Sequence, residues 1–299
     1  MPMPSDAYRA ILDTLWAQER APGVSLAEQR ANYDAIGDQY PPPADVNVED
    51  AVGAPVPSIW VRAPEAATDG ALVWFHGGGY VIGSPHGYRR LAADLGRATG
   101  LQALVPDYRL APEHPHPAAV EDAVATYRWL LDGGLAPERI VVGGDSAGGG
   151  LAVATLVALR DGGVPLPGAA ALLSPWTDLS LSSSTWTSRA ELDPLVGVHN
   201  APDMAKAYLA GQPVSTPLAS PIHAELSGLP PLLILVGDHE VLLDDARALA
   251  QLAKGAGVAV ILEEYPELHH VWPVFTPDTV EGIEAVAMVS TFWRRHLGR

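Results

Sequence analysis

The chain has 299 residues, 48% of them hydrophobic, and its 35 acidic and 18 basic side chains give a formal net charge of -17. This charge repels phosphate backbones and anionic lipid surfaces, which argues against nucleic-acid and membrane binding and favours neutral over anionic substrates. The sequence has no cysteine, which excludes disulfides and thiol chemistry. It also has neither a basic N-terminal patch nor an apolar run near the ~18 residues of a membrane span. We therefore expect a cytoplasmic protein.

The first segment, residues 5–40, has the composition of two helices and ends at the prolines 41–43. Beyond it, short apolar runs alternate with helical stretches, which predicts a mostly parallel sheet with helices on both faces. The stretch 176–225, which contains serine, proline and tryptophan, interrupts this alternation. The predicted strands are 72–75, 103–105, 140–142, 169–173, 232–236 and 258–262, and the predicted helices are 88–99, 118–131, 147–161, 244–255 and 277–297.

A glycine run follows the first predicted strand directly, since residues 76–80 read HGGGY. Glycines leave backbone N–H groups free to approach a negative oxygen without interference from a Cβ atom. A loop of this type provides the oxyanion hole in one class of serine hydrolases. We therefore expect N–H donors at Gly78 and Gly79, with Gly77 as a further donor or as a support for the loop.

The third predicted strand leads into GDSAG at residues 144–148, which predicts a strand, a tight turn and a helix with Ser146 at the apex. Glycines two residues on either side allow the chain to turn sharply and to expose the hydroxyl. The pattern alone is a weak signal, because similar loops bind phosphate at helix N-termini. Together with the glycine run it indicates a nucleophile elbow, in which the N–H of Ala147 is another oxyanion donor.

A serine nucleophile needs a base within hydrogen-bond reach and an acid that orients the base, and here both are expected after the serine in the chain. The adjacent pair His269 and His270 lies between the last predicted strand and the last predicted helix. No third ligand stands at a suitable spacing from this pair, so a metal site is disfavoured. The candidate bases are His223, His239, His269, His270 and His296, and the candidate acids are Asp238, Glu240, Asp244 and Asp245.

The sequence resembles the bacterial hormone-sensitive lipase family, family IV of the carboxylesterases, in five blocks that follow the family's order. These blocks read HGGGY at 76–80, DYRLAPEHP at 107–115, GDSAGG at 144–149, VGDHEVLLDD at 236–245 and HVW at 270–272. The second block would otherwise indicate only a proline-rich turn after a strand. The five blocks together span most of the chain.

The resemblance implies an α/β-hydrolase fold, with a mostly parallel central sheet, helices on both faces and a helical cap. The implied catalytic core comprises residues 46–175 and 227–299, and the implied cap comprises 1–45 and 176–226. A cap at these positions would cover the carboxyl ends of the strands, where open α/β sheets bind ligands.

The resemblance also selects the catalytic groups. It implies that His270 is the base, because the family's base directly precedes a pair such as residues 271–272. It implies that Glu240 is the acid, at the first position of an acid-x-Leu-x-Asp pattern. Asp238 is the alternative acid, and Asp244 and Asp245 are interpreted as first-turn acids that stabilise the following helix.

The expected chemistry is acyl transfer through a covalent serine intermediate. Ser146 attacks an ester carbonyl, His270 accepts its proton and later protonates the leaving alcohol, and Glu240 orients the imidazolium. No metal or organic cofactor is needed for any of these steps, and His76 is expected to brace the glycine loop. The expected pocket residues are Tyr80, Asp145 and Trp176, with Leu181, Trp186, Leu195, Met204 and Tyr208 as further candidates.

The expected substrate is a small neutral ester with a short or medium acyl chain, as the resemblance implies. An amidase, lactonase or carbamate hydrolase would use the same residues, so these activities stay open. A ligand receptor without catalysis is disfavoured, because receptor relatives lack the histidine found here. The family's habit of dimerising through its last strand makes a homodimer through residues 258–262 a further expectation.

Overall fold

The computed structural model describes residues 4–17 and 23–297. Eight strands of this part form one sheet in the order β1-β2-β4-β3-β5-β6-β7-β8. Strand β2 pairs antiparallel with β1 and β4, whereas β3 to β8 pair in parallel. The strands are β1 (Asn47–Asp50), β2 (Ser58–Arg62), β3 (Ala67–Phe75), β4 (Leu101–Pro106), β5 (Ile140–Asp145), β6 (Ala169–Leu173), β7 (Leu232–Gly237) and β8 (Val260–Tyr265).

Helices connect the strands and cover the sheet. Short 3₁₀ helices lie at Pro85–Tyr88, Pro137–Arg139 and Pro221–His223. The α-helices are α1 (Asp6–Ala17), α2 (Leu26–Asp34), α3 (Ile36–Gln39), α4 (Arg89–Thr99), α5 (Ala118–Asp132), α6 (Ala147–Asp161), α7 (Thr185–Ser188), α8 (Ala201–Leu209), α9 (Leu243–Gly255), α10 (Trp272–Phe275) and α11 (Val280–His296).

The side chains of β3 alternate between two apolar clusters, as the period of a strand requires. Ala71, Val73 and Phe75 belong to a cluster that includes side chains of α5, α6 and α9. Leu72 and Trp74 belong to the other cluster, with side chains of α4 and α11. The sheet is therefore buried on both faces, which is typical of parallel sheets and confirms the predicted α/β-hydrolase architecture.

The six predicted strands and five predicted helices are all present, with ends that differ by a few residues. The largest difference is in β3, which begins at Ala67, five residues earlier than predicted. All other ends differ by three residues or fewer, as at 277–297, where the helix begins at Val280 after the N-cap Thr279. Two strands, β1 and β2, were not predicted. The sequence NVED of β1 is mostly exposed and has no apolar run, so it carries no periodic signal.

The direction of the sheet order changes between β3 and β5. From β3 the chain continues to β4 on one side, and from β5 it continues to β6 on the other. Ligands of open α/β sheets bind outside the carboxyl ends of the strands at such a switch point. The glycine run follows β3 and Ser146 follows β5, so the fold brings both motifs to this position.

The two stretches predicted as a cap contain short helices. The first has α1, α2 and α3 rather than two helices, and α2 begins with a capping box between Ser25 and Glu28. Residues 1–3 and 18–22 of this stretch, and residues 298–299 of the predicted core, lie outside the described residues. Among the described helices, none has both the length and the apolar character that crossing a membrane requires.

Candidate active site

Ser146 occupies the sharp turn between β5 and α6, with φ 54° and ψ -123°. A positive φ is uncommon for a residue other than glycine and requires support from the surroundings. The Ser146 N–H donates to the carbonyl of Leu173 at 2.9 Å, and its carbonyl accepts from Gly150 at 3.1 Å and Trp176 at 2.8 Å. These three backbone bonds hold the serine at the carboxyl edge of the sheet, with 8% of the residue exposed.

The two glycines of the elbow are required by close approaches of the backbone. A Cβ atom on Gly148 would collide with the carbonyls of Phe75 and His76, and one on Gly144 would collide with the backbone of Gly148. The first turn of α6 therefore packs directly against the end of β3. This contact joins the elbow to the glycine run.

The glycine run forms a tight loop beside Ser146. The Gly78 carbonyl accepts from the N–H groups of Val81 at 3.0 Å and Ile82 at 2.9 Å, and the φ of Gly78 is 113°. Within the described part of the chain, no hydrogen bond uses the N–H of Gly78 or Gly79. Both glycines line the same cavity as Ser146, so these donors lie close to the candidate nucleophile.

Gly77 and Asp145 support this loop from behind. The Gly77 N–H donates to Tyr88 Oη at 2.9 Å and Asp145 Oδ1 at 3.1 Å, and the Asp145 carboxylate also accepts from Tyr88 at 2.8 Å and from Trp74 at 3.1 Å. Burial raises the pKa of Asp145 to about 6, although the bonds from Tyr88 and Trp74 lower it. Asp145 is fully buried and lies outside the cavity lining, in contrast to its predicted place in the pocket wall. The Gly77 N–H is occupied, which favours the supporting role of Gly77 over that of a donor.

His76 and Tyr108 stack beneath the loop, with ring centroids 4.2 Å apart. His76 Nδ1 lies 2.7 Å from the Gly77 carbonyl, and Tyr108 Oη donates to the His76 carbonyl at 2.7 Å. Burial lowers the pKa of His76 to about 4, so its ring is neutral. The block at 107–115, which carried no physical signal in the sequence, thus contributes Tyr108 to the support of the loop.

Glu240 and His270 form a buried pair. Glu240 Oε2 lies 3.0 Å from His270 Nδ1, and the two residues are 0% and 4% exposed. Burial lowers the pKa of His270, but the hydrogen bond and charge of Glu240, together with the charges of Asp193 and Asp145, outweigh it, so that the pKa lies above its usual value. His270 and Ser146 line the same cavity.

Asp238, the alternative acid, is bound elsewhere. Its Oδ1 accepts the N–H of Glu267 at 2.7 Å. Its nearest imidazole contact is with the neighbouring His239, at 3.8 Å, and it makes no hydrogen bond to His270. This geometry favours Glu240 over Asp238.

Asp244 and Asp245 lie in the first turn of α9, as interpreted from the sequence, but both bind groups outside that helix. Asp244 accepts from the hydroxyl of Ser184 at 2.6 Å. Asp245 is 2% exposed, and its Oδ2 accepts the N–H groups of Thr177 at 3.2 Å and Asp178 at 3.0 Å. Asp245 therefore anchors the segment after β6.

Two further residues support the histidine pair and were not singled out in the sequence. Ser174 follows the end of β6 and contacts both Glu240, the candidate acid, and Val271, the residue after the candidate base. Tyr8 of α1 is fully buried; its Oη accepts the N–H of His269 at 2.7 Å and also contacts His269 Nδ1. Burial lowers the pKa of His269 to about 3, so this second ring is neutral.

A cavity of about 740 Å³ opens over Ser146 and His270. Both predicted cap stretches contribute to its wall, and no Asp, Glu, Lys or Arg side chain is among its described lining residues. Trp176, Leu195 and Met204 line it, as predicted. Four other predicted residues do not line the cavity: Tyr80, Leu181, Trp186 and Tyr208. The rings of Tyr80 and Tyr208 are instead buried and stacked on each other, with their centroids 3.8 Å apart.

In the described ranges, no group of three or more His, Asp or Glu side chains is arranged to hold a metal ion.

Comparisons with known proteins show which family the chain belongs to. A family model described as the alpha/beta hydrolase fold matches residues 72–274. The chain is 48% identical over 274 residues to an acetyl-hydrolase of Streptomyces hygroscopicus, covering 91% of this chain and 89% of that protein. It is 34% identical over 266 residues to the carboxylesterase NlhH of Mycobacterium tuberculosis, covering 84% and 76%. The crystal structure of an esterase from the bacterial hormone-sensitive lipase family superposes with a TM-score of 0.95, at 44% identity over 99% of this chain and 100% of that one.

Proposed function

The chain belongs to the α/β-hydrolase family that includes the bacterial hormone-sensitive lipase type of esterase, and from this premise we propose that it is a serine carboxylesterase acting on small neutral esters through an acyl-serine intermediate. The observation that carries the proposal is the contact of 3.0 Å between Glu240 Oε2 and His270 Nδ1 beside the cavity that contains Ser146.

Ser146, His270 and Glu240 have complementary roles in this mechanism. Glu240 accepts the Nδ1 proton of His270, which leaves Nε2 as the nitrogen that takes the Ser146 proton. The serine oxygen then attacks the ester carbonyl, and the imidazolium is stabilised by the adjacent carboxylate. His270 returns the proton to the leaving alcohol, and a water molecule repeats the sequence to release the acid.

Gly78, Gly79 and Ala147 are the proposed donors to the tetrahedral intermediate. Ala147 is the first residue of α6, where backbone N–H groups have no partner within the helix and attract negative charge. The unoccupied N–H groups of Gly78 and Gly79 support the same assignment. Loss of one such donor typically costs about 2.7–4 kcal/mol of transition-state stabilisation.

The substrate class follows from the size and charge of the cavity. A volume of about 740 Å³ is within the range of small-molecule sites. No Lys or Arg side chain is among the described lining residues, so they give an anionic ester no permanently cationic partner, and the net charge of -17 opposes its approach. The name acetyl-hydrolase of one relative supports a short acyl chain.

We also propose that residues 1–45 and 176–226 form a cap over the sheet, since both stretches contribute side chains to the cavity wall. The edge position of β8 is compatible with a homodimer through this strand, and Ile261 on it is exposed. Light scattering after gel filtration tests the dimer, and a monomer at micromolar concentration would count against it.

Hydrolysis of p-nitrophenyl esters from acetate to palmitate, compared between the protein and Ser146→Ala, tests the proposed activity. We expect rapid turnover of the short and medium chains and its loss in the variant. Turnover of amides or lactones with no ester hydrolysis would instead assign the same residues to an amidase or a lactonase. Binding without turnover would indicate a receptor, which the intact His270–Glu240 pair disfavours.

A further inference from the structure

Asp193 is a buried carboxylate that the mechanism above does not use. It lies in the turn between α7 and α8 and is 1% exposed. Its Oδ1 accepts the N–H groups of Leu195 and Val196, each at 3.0 Å, and its Oδ2 accepts the N–H of Val241 at 3.1 Å. Three backbone donors therefore fix the position of this one carboxylate.

These three donors belong to two parts of the active site. Val241 directly follows Glu240, the proposed acid, whereas Leu195 and Val196 line the cavity. Asp193 thus joins the acid loop to the cavity wall through its two oxygen atoms. A displacement of the carboxylate would move both parts.

Asp193 also adds a negative charge beside the base. No ion pair joins it to a Lys or Arg side chain in the described part of the chain. The groups that act on His270 are Glu240 from the acid loop, Asp193 from the predicted cap and Asp145 from the end of β5, while the adjacent His269 is neutral. The charge of Asp193 raises the pKa of His270, and burial in turn raises the pKa of Asp193 to about 6.

We propose that Asp193 is a positioning residue for the reaction: its carboxylate holds the Glu240 loop and the cavity wall in one arrangement and provides a second negative charge for the His270 imidazolium. The inference rests on the proposed serine-hydrolase function. It assigns a role in catalysis to a residue of the predicted cap that does not contact the reacting atoms.

The test is the pH dependence of Ser146 labelling by a fluorophosphonate probe, measured by intact mass for the wild type, Asp193→Asn and the control Asp245→Asn. Asp245 is an equally buried carboxylate that accepts two backbone N–H groups, but it is not among the groups acting on His270. The acid limb of the profile is the pH range in which the labelling rate falls as the pH is lowered. In Asp193→Asn the imidazolium of His270 loses a stabilising negative charge, so we expect this limb to move to lower pH by on the order of 0.5 unit or more. We also expect ester kcat to fall on the order of 10-fold because the loops shift.

An acid limb in Asp193→Asn that coincides with those of the wild type and Asp245→Asn would overturn the inference. If Asp193→Asn does not fold, Asp193→Glu provides the test, since it keeps the charge but moves the carboxylate. For Asp193→Glu we expect an acid limb at the same pH as in the wild type and a reduced kcat for ester hydrolysis. An unchanged kcat would contradict the positioning role. A wild type that is not labelled at any pH would overturn the proposed function itself, which separates that failure from the failure of this inference.

Discussion

Ser174 donates its hydroxyl to Glu240 Oε1 at 2.7 Å, and both side chains are fully buried. The same hydroxyl oxygen accepts the N–H of Val271 at 3.1 Å, the residue after His270. Ser174 thereby ties the loop that carries the acid to the loop that carries the base. Glu240 Oε1 also accepts the N–H of Gly237 at 2.6 Å, which leaves Oε2 for the imidazole.

Replacing Ser174 by Ala should weaken this connection without removing any catalytic group. A hydrogen bond to a charged group contributes about 1.5–3 kcal/mol, so we expect kcat/KM to fall on the order of 10-fold or more. Ser290→Ala is the matched control, because Ser290 is equally buried but lies in α11 and donates to Ala287. Equal activity of the two variants in an ester assay would argue against a connecting role for Ser174.

Replacing Glu240 by Gln should lower turnover by on the order of 10⁴-fold, because the amide cannot stabilise the imidazolium and favours the wrong histidine tautomer. Asp238→Asn should retain most of the activity, since Asp238 binds the backbone of Glu267. Steady-state kinetics on p-nitrophenyl butyrate compare the two. An active Glu240→Gln beside an inactive Asp238→Asn would assign the acid to Asp238.

Tyr8→Phe should loosen the histidine loop, because Tyr8 Oη is the partner of the His269 N–H. We expect faster hydrogen exchange at that amide and a several-fold lower kcat, since small displacements of a catalytic group are costly. Tyr127→Phe is the control, as its buried hydroxyl donates to the Pro165 carbonyl away from the site. The same exchange rate and kcat in both variants would show that α1 does not position the base.

The pH profile should follow the protonation of His270. The base must be neutral to accept the serine proton, and its pKa is raised above its usual value by Glu240. Full kcat/KM is therefore expected above that pKa and is lost as the pH falls through it, so the apparent pKa of the acid limb should lie above the ordinary histidine value. NMR titration of the His270 ring in Ser146→Ala gives the value directly. An acid limb below the ordinary histidine value would mean that burial dominates over the pairing.

Ester charge should affect the rate of hydrolysis. A neutral butyrate ester should be hydrolysed with a higher kcat/KM than an ester of the same length that ends in a carboxylate, because no Lys or Arg is among the lining residues that the structure describes and the protein charge repels the anion. Added salt should reduce this difference by screening. A preference for the anionic ester would point to a cationic subsite that the described residues do not contain.

The sequence predicted the parts of the fold that have a local signal. The apolar runs of β5, β6 and β7 are continuous and flanked by turns, as buried parallel strands require. The glycine run and the elbow were predicted because their backbone conformations restrict the residue types. In contrast, β1 was not predicted because its sequence NVED has no apolar run, and β2 was not predicted although its sequence SIWVR contains a short apolar run.

His76 and Gly77 were predicted as supports of the glycine loop, but Ser174 and Tyr8 were not predicted, because each acts through a contact distant in the sequence. Ser174 is an isolated serine 66 positions from Glu240, and Tyr8 lies 261 positions from His269. Asp145 was expected in the pocket wall because it precedes the nucleophile, but at a sharp turn adjacent side chains point to different sides. Its carboxylate reaches Trp74 and Tyr88 behind the glycine loop.

Covalent labelling of Ser146 is the most direct test of the acyl-transfer mechanism. The protein is mixed with p-nitrophenyl butyrate, quenched in acid, digested and analysed by mass spectrometry, with Ser146→Ala treated in parallel. We predict one butyryl group on the peptide that contains Ser146, formed at a rate that accounts for turnover, and none in the variant. Turnover at the wild-type rate in Ser146→Ala, or a butyryl group on another residue, would contradict the account.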